Sequence, residues 1–188
     1  LGSAFFIEGF EVQDAPRYGA ERRGAPIFAY VRADASPLFE RGVIPRPDLV
    51  LVADDTLVGV PAAGVMQGLD GHAVLALSTV EDPSTWRARL GGDMQIINLP
   101  SFSAEDPAQR PYVGALLAGA AARLVGLKLE SICEAIAQEL DGHGADVIVA
   151  NQERARAAYE AMRAHAGLVK PRIEDNTPQA TGWDVKTR

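Results

Sequence analysis

Three short apolar runs constrain this chain more than any other feature. They are residues 49–53 (Leu-Val-Leu-Val-Ala), 73–77 (Ala-Val-Leu-Ala-Leu) and 94–99 (Met-Gln-Ile-Ile-Asn-Leu). A continuous run without polar alternation fits a central parallel strand covered on both faces. Each run turns polar at its carboxyl end: Asp54 follows the first, Ser78 follows the second, and Asn98 closes the third. Residues 83–90 between the second and third runs read as a short helix with Pro83 in its first turn. Strands alternating with helices imply an α/β fold with a mostly parallel sheet, flanked by the helices that come later in the chain. The three strands are therefore expected side by side and parallel. Asp54, Ser78 and Asn98 should line the carboxyl edge, where open α/β sheets collect ligands.

The rest of the chain supplies the cover. Residues 2–9 read as helix, with Ala4, Phe5 and Ile7 as its apolar stripe, and residues 10–14 and 27–32 as strands. Pro45 and Pro47 interrupt regular pairing in the connection 37–47. Residues 112–127 form a helix rich in small residues, among them Gly114, Ala115, Ala118, Gly119, Ala121 and Ala122, which permits close packing against a neighbour. Residues 130–140 place Ile132, Ile136 and Leu140 on one face. After a break at 141–144, a long helix is expected over 146–165. The chain opens at Leu1, already inside a helical pattern, so a strand and turn are expected to precede it. Residues 1–169 thus form one α/β unit. Residues 170–188 are polar, with Pro171, Pro178 and Trp183, and are expected to be an extended arm lying on a neighbouring subunit with Trp183 as its anchor.

Composition excludes several functions. Eighteen Lys and Arg stand against 25 Asp and Glu, a net charge of −7, so the basic footprint for nucleic-acid binding is missing. One cysteine, Cys133, cannot build an internal disulfide framework, a cysteine-ligated zinc site or an iron–sulfur site. The three histidines show no metal-ligand spacing. No apolar run approaches the ~20 residues of a membrane span, and no signal-peptide pattern opens the chain; the expected compartment is cytoplasmic, with no membrane partner. Neither a G-x-S-x-G elbow nor a phosphate-binding glycine motif occurs. Ser78 and Ser101 have no histidine nearby in sequence. Cys133 lies in an apolar helical stretch and reads as a small core residue. Asp54-Asp55 reads as a helix cap rather than a metal or ribose site, because no further carboxylates adjoin it.

One segment stands apart: Tyr18-Gly19-Ala20-Glu21-Arg22-Arg23-Gly24-Ala25-Pro26. Two adjacent arginines between two glycines place rigid, always-charged forks on a loop whose backbone can approach another surface closely. Such forks suit carboxylate or phosphate groups. With Val31-Arg32, Pro47-Asp48, the glycine- and alanine-rich helix from Gly114 to Gly126, Leu129-Glu130 and the helix from Asn151 to Tyr159, this loop resembles the γ subunit, or γ domain, of the thiamine-diphosphate-dependent 2-oxoacid:acceptor oxidoreductases. Pyruvate:ferredoxin oxidoreductases are the best-known members.

The resemblance implies a Rossmann-like γ subunit in a multi-subunit enzyme that oxidatively decarboxylates a 2-oxoacid, usually to an acyl-CoA. Electrons pass through iron–sulfur clusters to ferredoxin or NAD. It implies α-, β- and δ-type partner subunits and a complex carrying thiamine diphosphate, Mg²⁺ and [4Fe-4S] clusters, with coenzyme A as co-substrate. This chain is then expected to hold no cofactor or metal alone and no catalytic residue. It serves assembly and shapes the coenzyme-A side of the active site, with Tyr18, Gly19, Glu21, Arg22, Arg23 and Gly24 facing substrate or a partner. The alternative is a stand-alone nucleotide- or acyl-CoA-binding α/β module without catalysis.

Overall fold

The computed structural model describes residues 1–17, 27–100 and 113–172. In chain order the elements are α1 (Gly2–Ile7), β1 (Glu11–Arg17), β2 (Phe28–Asp34), β3 (Leu49–Val52), β4 (Val74–Leu77), α2 (Pro83–Leu90), β5 (Gln95–Asn98), α3 (Val113–Val125), α4 (Leu129–Glu139) and α5 (Ala145–Ala161). Short 3-10 turns at Asp55–Gly59, Pro61–Ala63 and Arg163–His165 join them.

The three apolar runs form one parallel sheet in the order β3-β4-β5. Every residue of the central strand β4 is buried, which is why it shows no polar alternation. On one face, Val74, Ala76, Ile97 and Leu99 pack against Ala120 and Leu124 of α3 and Ala158 of α5. On the other, Val52, Leu75, Leu77, Met94 and Ile96 pack against Trp86 of α2 and the partly buried Leu57, Val65 and Leu69. A third cluster joins α1 to the helices through Ala4, Ile132, Ala135, Ile136, Ala155 and Tyr159.

The helix layer depends on small residues. In α3, Gly119 lies so close to α5 that a Cβ on it would overlap the backbone of Ala155. Beside this crossing, the Tyr159 hydroxyl donates to the carbonyl of Leu127 at 2.9 Å, and the Arg123 guanidinium stacks 4.6 Å over the Tyr159 ring. A second close approach joins two loops. Gly68 has φ +77°, and a Cβ there would overlap the carbonyl oxygen of Pro45.

β1 and β2 form a separate antiparallel ribbon, with Glu11 opposite Asp34 and Arg17 opposite Phe28. The expected strand at 10–14 extends to Arg17, through Pro16. Proline cannot donate a ladder hydrogen bond, but each strand of a two-stranded ribbon has an open edge that tolerates the missing N–H.

Candidate functional site

Asp54 and Ser78 follow β3 and β4, and Asn98 ends β5, at the carboxyl edge of the parallel sheet. Ser78 N donates to the carbonyl of Val52 at 2.9 Å, and Leu99 N donates to that of Leu77 at 2.8 Å, so the three strand ends are tied in register. Asp54 is a cap. Its Oδ1 accepts from Thr56 N at 3.0 Å and from Thr56 Oγ1 at 2.6 Å, satisfying the first donors of the 3-10 turn.

Between β4 and α2, the turn at 79–82 is held from several sides. Thr79 Oγ1 accepts from Glu81 N at 3.2 Å and from the Trp86 indole at 3.3 Å. Asn98 Nδ2 donates to the Glu81 carbonyl at 2.8 Å. The Glu81 carboxylate pairs with Arg89 at 2.9 Å, and Arg89 stacks 4.5 Å over Trp86. Asp82 caps α2 by accepting from Ser84 N at 2.8 Å; the hydrogen bonds from the Ser84 side chain and backbone hold its carboxyl below the usual aspartate range. Among the described residues the Asn98 Oδ1 is buried and has no hydrogen-bond partner. It is an acceptor for an N–H or O–H donor at the carboxyl edge. Sequence reasoning placed Asn98 here but gave no sign of Thr79, Glu81 and Trp86 as its supports.

This edge carries no nucleophile–base pair among the described residues. His72 precedes β4 and Ser78 follows it, so the strand separates them by about 20 Å at ~3.3 Å per residue. Cys133 is half-buried, and desolvation pushes its thiol up despite the opposing charge of Arg156, which makes a poor thiolate nucleophile. Among the described residues no three His, Cys, Asp or Glu side chains are grouped to hold a metal ion. Tyr18, Gly19, Glu21, Arg22, Arg23 and Gly24 of the arginine loop, and Trp183 of the arm, lie outside the described residues.

The opposite, amino edge holds a charged cluster that sequence reasoning missed. Arg172 donates to Asp70 through both terminal nitrogens, at 2.8 and 3.0 Å, and its Nε lies 3.6 Å from Asp48. His72 Nε2 lies 2.9 Å from the Lys170 carbonyl and 3.4 Å from Asp48 Oδ1. Residues 170–172, expected to begin the arm, are thus bound to this chain's own sheet. Before them Gly167 N donates to Arg123 O at 2.9 Å and Val169 N to Leu124 O at 3.0 Å, so the whole stretch straps the helix layer to the strands.

The hydrogen bonds from Arg172, then the backbone N–H of His72, hold the Asp70 carboxyl far below the usual aspartate range. A depressed carboxylate pKa contributes stability above the unfolded-state value and loses it as pH falls toward the folded one. Asp70→Asn should therefore lower the denaturation midpoint at neutral pH. The gap from wild type should narrow as pH drops below about 4, and added salt should shrink it, because the pair is partly exposed. Denaturant titrations at several pH values check this; a gap that does not change with pH would refute it.

An open apolar groove of about 490 Å³ lies where α1, the ribbon, α3 and α4 meet. Tyr30, Ile132 and Ile136 line it, and Ser3 Oγ donates to Glu139 Oε1 at 2.6 Å on its rim.

Proteins of known kind share this architecture and much of its sequence. Residues 1–161 match the family model of pyruvate ferredoxin/flavodoxin oxidoreductase. The chain is 34% identical over 162 residues to pyruvate synthase subunit PorC of Methanothermobacter thermautotrophicus, covering 85% of this chain and 84% of that one. It is 33% identical over 164 residues to the pyruvate/ketoisovalerate oxidoreductases common subunit gamma of Pyrococcus furiosus, covering 85% of each. The crystal structure of pyruvate oxidoreductase subunit PORC from Thermotoga maritima superposes with a TM-score of 0.63 at 30% identity, covering 85% of this chain and 84% of that one. The γ subunit of a keto/oxoacid ferredoxin oxidoreductase from Geobacter sulfurreducens shares the fold, at a TM-score of 0.55 and 16% identity, covering 85% of this chain and 87% of that one.

Proposed function

The chain belongs to the pyruvate ferredoxin/flavodoxin oxidoreductase family, and we propose that it serves as the γ subunit of a multi-subunit 2-oxoacid oxidoreductase. The observation that carries this is the family match over residues 1–161 together with 34% identity to a pyruvate synthase subunit. The reaction is oxidative decarboxylation of a 2-oxoacid, with transfer of the acyl group to coenzyme A and of electrons to ferredoxin or NAD. Its compartment is the cytoplasm.

Thiamine diphosphate, Mg²⁺ and the iron–sulfur clusters belong to the α-, β- and δ-type partners in this reading. A [4Fe-4S] cluster needs four thiolates, and this chain has one cysteine, half-buried with its thiol pKa raised. Its residues therefore do not fit such a cluster. The role left to it is assembly and the shaping of the coenzyme-A side of the active site. The arginine loop supports that role by its chemistry, since Arg22 and Arg23 suit the phosphates of a coenzyme or the carboxylates of a partner.

The test is co-expression with the candidate partner subunits. A γ subunit should elute in a larger, brown complex; a stand-alone module should elute as monomer or homodimer and bind nucleotide by itself. Within that complex, replacing Arg22 and Arg23 together by alanine should weaken coenzyme-A-dependent turnover or subunit association roughly tenfold or more, the scale of one lost charge-assisted hydrogen bond. Unchanged kinetics in an intact complex would remove the loop from this role.

A further inference from the structure

We propose that the stretch 35–47, between β2 and β3, is a preformed docking knob for a larger partner subunit, with Phe39 as its anchor. The inference rests on the reading of this chain as one subunit of a complex. The stretch contains no helix or strand, yet it is held at three points. At its start Ser36 N donates to Asp34 Oδ1 at 2.7 Å. In its middle the Arg32 guanidinium, its side chain only 13% exposed, donates to the carbonyls of Gly42 at 2.9 Å and Val43 at 3.0 Å while also bonding Gln13 at 3.1 Å. At its end Pro45 packs against Gly68. A largely buried arginine committed to two loop carbonyls is a device for keeping a loop in one shape.

What the fixed loop presents is apolar. Phe39 is 88% exposed and Val43 is 45% exposed. Structureless connections of this length are uncommon in compact domains unless they carry function. A rigid loop loses little conformational freedom on binding, and aromatic side chains entering pockets supply most of the affinity at interfaces. The charge around the ring indicates the kind of partner. Glu40 lies 3.9 Å from Arg32, which offsets its charge from within, while Arg41 beside it is exposed. On a chain of net charge −7, this knob is apolar and carries the exposed Arg41, beside a Glu40 whose side chain is 71% exposed and paired at 3.9 Å with Arg32. It fits an apolar socket that offers a carboxylate to Arg41.

The experiment compares wild type, Phe39→Asp and Arg32→Gln, each co-expressed with the partner subunits and examined by sizing and by dilution of the purified complex. Phe39→Asp should leave the thermal midpoint of the isolated chain unchanged, because the ring has almost no intramolecular cover. It should weaken the complex by about 25-fold or more, the scale of an interface hot spot. Arg32→Gln leaves Phe39 in place but frees the loop, and should weaken the complex to a lesser degree. A Phe39→Asp complex that resists dilution like wild type overturns the inference. So does a Phe39→Asp chain whose only change is the loss of a homodimer. If wild type takes up no partner subunit at all, the subunit reading itself fails, and the inference falls with it.

Discussion

Gly119→Ala should destabilise the isolated chain by about 3 kcal/mol, as a forced overpacking of backbone against backbone. At this chain length that amounts to roughly 10 °C in thermal midpoint. The sign is the informative part. In an exposed helix the same change adds up to about 1 kcal/mol of stability, because alanine is the better helix former. Here the added methyl meets the Ala155 backbone of α5, so the two helices must separate and loosen the layer that covers β4 and β5. Gly114 in the same helix has open space where a methyl would sit, with none of the described residues within 4 Å. Gly114→Ala is therefore the internal control, with an unchanged or slightly raised midpoint. Equal stability of both variants would mean that α3 and α5 can part at little cost.

The second large effect is expected at Gly68. An alanine there combines a left-handed φ of +77° with overlap on the Pro45 carbonyl. The conformational part alone costs about 1–2 kcal/mol, and the overlap should bring the total to about 3 kcal/mol. Gly64 separates the two contributions. Its φ is +57°, and its nearest neighbour would be the end of the Gln67 side chain at 3.5 Å, so Gly64→Ala should cost only the conformational part. Urea titrations of the two variants give the comparison. Equal losses would show that Pro45 moves away freely.

Much of the sheet was legible because its residues leave little choice. The runs at 49–53, 73–77 and 94–99 are apolar without alternation, and only a strand covered on both faces accommodates that. They became β3, β4 and β5, shifted by at most one residue at either end. The helix at Pro83–Leu90 was legible from Pro83, a first-turn residue; its cap, Asp82, emerged only in the structure. The close approach of α3 to a neighbour followed from Gly119 and its small companions. The pairing of β1 with β2 was not legible, because Pro16 argues against a strand and only an open-edged ribbon removes the objection. Nor was the amino-edge cluster. Asp48 lies far in sequence from Asp70 and His72, and Arg172 farther still; the parallel pairing of β3 and β4 brings the first three together, and the stretch after α5 carries Arg172 to them. The supports of Asn98 at the other edge were hidden for the same reason.

The strap from Gly167 to Arg172 separates two meanings of a domain's end. The family model matches residues 1–161, and a chain cut there would retain the whole of that stretch. It would also lose Met162 and Val169 from the main cluster, and it would leave Asp48 and Asp70 without Arg172 between them. For this chain, the boundary of the family model falls inside the boundary drawn by packing. A fragment trimmed to its family likeness would be an incomplete folding unit.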